Sequence, residues 1–169
     1  MLAGLGAHHA GPSQNWPGAN VPGPDGSQAI GQEQTRPFCL LLLAEGARQA
    51  GRVDEGLRLL AEALVALEAS QRGDMLTEVY RLRGDFLLRQ AVPDVVQAEA
   101  CFQQALAIAR RQQAKSWELR AATSLARLWQ QQGKRDEAYE LLAPVYGWFT
   151  EGFDTADLQE AKALLAELA

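Results

Sequence analysis

The chain has 169 residues, 47% apolar, 22% charged and 7% aromatic, with 16 basic residues against 21 acidic and a formal net charge of −5. That length holds one ordinary domain, the acidic balance disfavours wholesale attraction to nucleic acid, and two cysteines are too few for a disulfide framework or a four-ligand zinc site. The longest apolar run, Phe38–Ala44, falls far short of the roughly 20 residues of a membrane span, and no basic stretch leads into an apolar core as in a secretory signal, so a soluble cytoplasmic chain with no membrane contact is expected.

Residues 1–36 hold seven of the 15 glycines and four of the seven prolines but only three charges, Asp25, Glu33 and Arg36. Pro12, Pro17, Pro22 and Pro24 stand too close for a helix, and no alternation supports a strand. Such a segment buries too little apolar surface to offset its ordering entropy, so a disordered leader over 1–36 is expected. From residue 37 the apolar residues recur at three- and four-residue steps, predicting an all-α domain over 37–169. Seven helices are placed at about 37–50, 53–69, 75–90, 94–112, 115–132, 135–149 and 155–168. No stretch of β-branched residues reads as a strand.

Internal repetition is the main signal. Gly51-Arg52-Val53-Asp54-Glu55-Gly56 and Gly133-Lys134-Arg135-Asp136-Glu137-Ala138 are one phrase: glycine, base, any residue, two acids, small residue. Glycine takes the left-handed conformation that ends a helix, the acids suit the first turn of the next, and the small residue lets antiparallel helices approach. The middle hairpin turns through Ala91-Val92-Pro93-Asp94, with Pro93 expected at the start of the following helix.

With Ala98, Phe102 and Ala105, with Tyr80, Gly84 and Leu87, and with Ala122, Leu125, Ala126 and Trp129, these phrases resemble the tetratricopeptide repeat, a helical pair of about 34 residues. The equivalent small residues Gly56, Ala98 and Ala138 are 42 and 40 apart, longer than that pattern. The longer spacing resembles the C-terminal repeat region of large bacterial ATPase/adenylate-guanylate cyclase proteins and LuxR-type regulators. So do the stretches 100–110 and 116–122, and above all Tyr146-Gly147-Trp148-Phe149-Thr150-Glu151-Gly152-Phe153-Asp154-Thr155. The resemblance spans about 37–169. It implies a right-handed superhelix of about three helical hairpins plus a C-terminal capping helix, acting as a non-enzymatic protein-interaction or regulatory module. Because residues 1–36 do not match, the chain is expected to be a fragment or to begin with a foreign or out-of-frame leader.

No catalytic constellation competes with that reading. A phosphate-binding GKS or GKT loop is absent, and Gly4-Leu5-Gly6 lacks a preceding strand and a following helix. His8 and His9, the only histidines, lie in the leader without a nearby carboxylate or cysteine, so the folded part has no Cys–His or Ser–His pair. Cys39 and Cys101 sit in apolar helical faces and read as small hydrophobes. The adhesion-like tripeptides at 72–74 and 83–85 read as structural, with Asp74 capping a helix and Gly84 at a close-packing position. Tyr80, Phe102, Trp129, Tyr146, Trp148 and Phe153 are expected in the seams between helices. No catalytic, cofactor or metal residue is assigned. A nucleotide cyclase or ATPase activity belonging to the chain itself is the enzymatic rival.

By the same resemblance, the first helix of each pair lines a concave groove. Its positions would be Phe38, Leu41, Glu45, Arg48 and Gln49; then Glu78, Arg81, Asp85, Leu88 and Arg89; then Arg120, Thr123, Arg127, Gln130 and Gln131. The arginines 48, 81, 89, 120 and 127 are the candidate contacts for an acidic peptide, since guanidinium pairs carboxylates bidentately. The alternative is that they pair with Glu45, Glu78 and Asp85. Leu158, Ala161, Leu164, Leu165 and Leu168 mark the capping helix, with Asp154 or Thr155 as its N-cap. At the other end Cys39-Leu40-Leu41-Leu42-Leu43 is apolar on nearly every face, so a homodimer through the first helix, or a self-associating structural spacer, is the further alternative.

Overall fold

A computed structural model describes the backbone of residues 26–69, 73 and 75–169, and side chains from residue 35 onward within that range. Among the described residues there are seven helices and no strand. They are α1 (Gly26–Gln49), α2 (Val53–Ala69), α3 (Leu76–Leu88), α4 (Val95–Gln112), α5 (Lys115–Gln131), α6 (Arg135–Tyr146) and α7 (Ala156–Leu168). Their order and bounds follow the apolar periodicity closely from α2 to α7. The exception is α1, which begins at Gly26, inside the segment expected to be disordered, and carries Pro37 within it. Proline's fixed φ suits a helical turn, but inside a helix it removes one amide donor and its ring crowds the carbonyl four residues back. The Pro37 ring is fully buried, on the side of Leu41 and Ala44. Gly4, Gly6, His8, His9 and Trp16 lie outside the described residues, as do Arg72 and Asp74.

Each helix packs on its successor. Beyond that, α1 touches α3, α3 touches α5 and α5 touches α7, whereas α2, α4 and α6 touch only their sequence neighbours. The odd-numbered helices thus form one continuous row with the even-numbered helices behind it. Leu40, Leu60, Leu67, Leu82 and Phe86 anchor one apolar cluster across α1–α3, and Phe102, Leu119, Leu125, Leu142 and Leu164 anchor another across α4–α7. Burying each such side chain is worth about 1.5–3 kcal/mol.

Glycine sets the closest approaches. A Cβ at Gly56 would stand 2.0 Å from the Phe86 ring, and one at Gly84 would stand 2.5 Å from the Phe102 ring. Gly56 and Gly84, two of the small positions read from the repeat, are therefore slots into which a large ring of the next helix fits.

The turns repeat as their sequences do. Gly51 and Gly133 have φ of +69° and +81°. In each turn the glycine N–H donates to the carbonyl three residues back, Arg48 or Gln130, and the following N–H donates to that five back, Ala47 or Trp129. This double bond pattern satisfies carbonyls orphaned at the helix end. A third copy, not anticipated, closes α4: Gln113 at φ +54° donates to Arg110 and Ala114 donates to Ala109.

Several local expectations are corrected. Asp94, rather than Pro93, sets the start of α4: its carboxylate accepts the Gln97 amide at 3.0 Å as N-cap, leaving Pro93 outside the helix. Thr155 is the N-cap of α7 by position, but its hydroxyl donates to the Gly152 carbonyl and makes no cap bond. The sixth helix ends at Tyr146, so Trp148 and Phe153 fall in the following loop and are 58% and 46% exposed instead of filling seams. Phe102 is fully buried, while Tyr80, Trp129 and Tyr146 are half-buried against the core.

Candidate functional site

The row of odd helices carries a cavity of about 340 Å³. Glu45 and Arg48 come from α1, Arg81, Asp85 and Leu88 from α3, Arg120, Thr123, Arg127 and Gln131 from α5, and Arg89 from the residue that caps α3. All five candidate arginines therefore face one space. The spacing explains it: 81, 85, 88 and 89, or 120, 123, 127 and 131, fall on one face at three- and four-residue steps. Other expected positions do not line the cavity. Leu41 is buried in the α1–α3 cluster, Phe38 is half-exposed, and Gln130 bonds Glu167 of α7 at 3.0 Å.

Four of the five arginines are already engaged. Arg48 bonds both oxygens of Glu45, at 2.6 and 2.8 Å. Arg81, only 8% exposed, forks onto Glu78 at 2.7 and 2.8 Å and reaches Asp85 at 2.9 Å. Arg120 bridges Glu78 at 3.2 Å and Asp157 at 3.5 Å, with its guanidinium over the Trp117 ring. Arg127 pairs with Glu160 at 3.0 Å. Among the described residues Arg89 alone of the five has no ion pair, and it is exposed. Four arginines thus meet five carboxylates (Glu45, Glu78, Asp85, Asp157 and Glu160), and with Arg89 counted the formal charges of the groove and its ion-pair partners balance.

The titrations follow this wiring. The hydrogen-bonded Arg48 guanidinium holds the Glu45 carboxyl down at about 2, against the opposing effect of burial. Burial alone would lower Arg81, but the hydrogen-bonded Glu78 and the charges of Asp85 and Glu45 outweigh it and raise it. Asp85 goes the other way: burial pushes its carboxyl up more than Arg81 brings it down.

Sequence reasoning missed Phe102, Ser124, Leu128, Asp157 and Glu160, which also line the cavity. The last two were legible: α7 takes the next place in the odd row, so its 157/160 face continues the groove that the capping reading stopped at α5. Cys39 is exposed, and Cys101 is buried with its thiol pushed up by that burial. Among the described residues no group of three or more His, Cys, Asp or Glu side chains is placed to hold a metal, and no helix is long and apolar enough to cross a membrane. No family model matches the chain, and no curated protein matches it significantly.

Proposed function

We propose that the chain is a tetratricopeptide-like superhelix serving as a non-enzymatic protein-interaction module, with the odd-helix groove as its peptide-binding face. The observation that carries this reading is the convergence of Arg48, Arg81, Arg89, Arg120 and Arg127 on one cavity running across α1, α3, α5 and α7. Ion pairing changes the kind of peptide expected. With four arginines neutralised internally, a polyacidic ligand has little to gain, whereas an extended segment placing one carboxylate beside Arg89 can use its free fork. The rest of the groove offers hydrogen-bonding side chains already held in place by their partners. By the resemblance of residues 37–169, such a module would serve the regulation of a larger bacterial signalling ATPase, cyclase or transcription factor in the cytoplasm.

The test is selection from a peptide library displayed on phage, followed by affinity measurement. Peptides that bind the groove lose at least tenfold in affinity for Arg89→Glu and for Gln131→Trp, both at exposed positions lining the cavity. Selected peptides that bind both variants as well as the original chain would refute the reading.

A second reading, a self-associating spacer, is favoured by one feature. Phe38, Leu42 and Leu43 on the outer face of α1 are 51%, 57% and 59% exposed. Light scattering over a hundredfold concentration range separates the two: a dimer abolished by Leu42→Glu supports the spacer, and a monomer throughout removes it.

A further inference from the structure

A second recess, sharing no residue with the groove, opens where the C-terminal turn of α4, the first turn of α5 and the loop after α6 converge. It is an open recess of about 710 Å³, and its walls include Arg110, Lys115, Ser116, Glu118, Trp148 and Phe149. The Glu118 side chain is 6% exposed. Arg110 Nε donates to one of its oxygens at 3.0 Å and Lys115 Nζ to the other at 2.7 Å. Burial would raise this carboxyl, but the hydrogen bonds and charges of the two cations outweigh it and lower it.

The cations, by contrast, keep donors in hand. Arg110 engages only Nε, leaving both Nη groups, and Lys115 engages one of its three N–H bonds. Two positive charges against one negative leave this corner locally cationic on a chain of net charge −5. Beside them stands an aromatic wall. Trp148 is 58% exposed, meets Phe149 edge-on at 5.2 Å and has the Lys115 ammonium 5.7 Å from its ring centroid. A lone exposed aromatic is ordinary. An exposed indole fixed by a second ring, next to two incompletely neutralised cations, over a recess of ligand size, is a set of groups that converge.

We propose that this recess binds an organic monoanion: a carboxylate joined to a flat aromatic or apolar body. The carboxylate is taken by the free guanidinium fork of Arg110 together with Lys115, where charge-assisted bonds are strong, and the body lies against Trp148. An ammonium carrying the same body is disfavoured, because it adds to the local positive charge and competes with Lys115 for the ring. The carboxylate can come from a free small acid or from the C-terminus of a peptide.

Calorimetry on the full chain with phenylacetate, phenylacetamide and 2-phenylethylammonium tests this without altering the protein. Phenylacetate is expected to bind saturably and at least tenfold tighter than either analogue. Its affinity falls at least tenfold in Arg110→Gln and in Trp148→Ala, both at exposed positions, and is unchanged in Arg89→Glu. Absence of saturable phenylacetate binding, equal affinity for the three probes, preference for the ammonium, or undiminished binding in Arg110→Gln overturns the proposal. In a parallel arm with an N-acetylated tetrapeptide ending in Phe, tighter binding than phenylacetate supports the site and names a peptide terminus as its source. Weaker binding supports the site and names a small acid.

Discussion

Gly84 of α3 and Phe102 of α4 form a slot and its filler: the ring lies where a Cβ at residue 84 would come within 2.5 Å of it. The same relation joins Gly56 of α2 to Phe86 of α3, more tightly, at 2.0 Å. Both rings are fully buried, so neither can swing clear into solvent. Gly84→Ala is expected to destabilise the fold by about 1–3 kcal/mol through overpacking, despite alanine's better helix propensity. Combining it with Phe102→Leu should cost less than the two single changes added together. Urea unfolding of the four proteins measures that coupling, and strict additivity would show that the ring and the glycine do not compete for space.

The left-handed residue at the end of α4 is a glutamine, where α1 and α5 are each followed by a left-handed glycine, Gly51 and Gly133. Since the left-handed region costs a side-chain-bearing residue about 1–2 kcal/mol, Gln113→Gly should stabilise the chain by about 1 kcal/mol after its own unfolded-state entropy is counted. Gly133→Ala should cost about 1 kcal/mol for the converse reason. Thermal melts showing both changes with the same sign would contradict this account of the turns.

Arg81 is the keystone of the groove's ionic wiring rather than an available ligand contact. Replacing it by Met leaves Glu78 and Asp85 without their main partner, in surroundings where Glu78 is 7% exposed. The expected loss is about 3–5 kcal/mol. Because burial already favours the protonated form of Asp85, part of that loss should be recovered on acidification, as the stranded carboxylates take up protons. Denaturant midpoints of Arg81→Met relative to the parent, at neutral and mildly acidic pH, report both effects. No loss at neutral pH would mean the cluster contributes nothing to folding, and a loss undiminished at mildly acidic pH would mean the stranded carboxylates are not its source.

Glu45 supplies a pH dependence of the opposite kind. Its carboxyl sits at about 2 in the folded chain against an ordinary 4.5. As pH falls, the unfolded chain takes up this proton first. The stabilisation is therefore complete above about 4.5 and fades toward 2. Glu45 and Arg48 are 32% and 27% exposed at the side chain, so screening limits the contribution to about 1 kcal/mol or less. Arg48→Gln should lose less stability than the parent between pH 6 and pH 3. An identical loss in the two proteins would show that the pair does not favour the folded state.

Helix order, and bounds to within about three residues from α2 to α7, were legible because apolar spacing and turn glycines encode them locally. Gly51 and Gly133 adopt the left-handed φ that their shared phrase implies. Three features were not legible, each because it depends on neighbours distant in sequence. Pro37 lies inside α1, where its burial on the packed face accompanies the missing donor. Trp148 escapes the core because α6 stops at Tyr146. The groove positions followed from helical spacing, but the engagement of Arg120 and Arg127 by Asp157 and Glu160 comes from a helix some thirty residues further on.

The even-numbered helices meet only their sequence neighbours, and the odd row touches at most the next odd helix. No helix therefore packs on one further along the chain than its second neighbour. Pulled from its two ends, such a chain is expected to come apart hairpin by hairpin, in a series of modest force steps instead of one abrupt rupture, the α2–α3 and α6–α7 seams yielding before the α1–α2 and α3–α4 pairs.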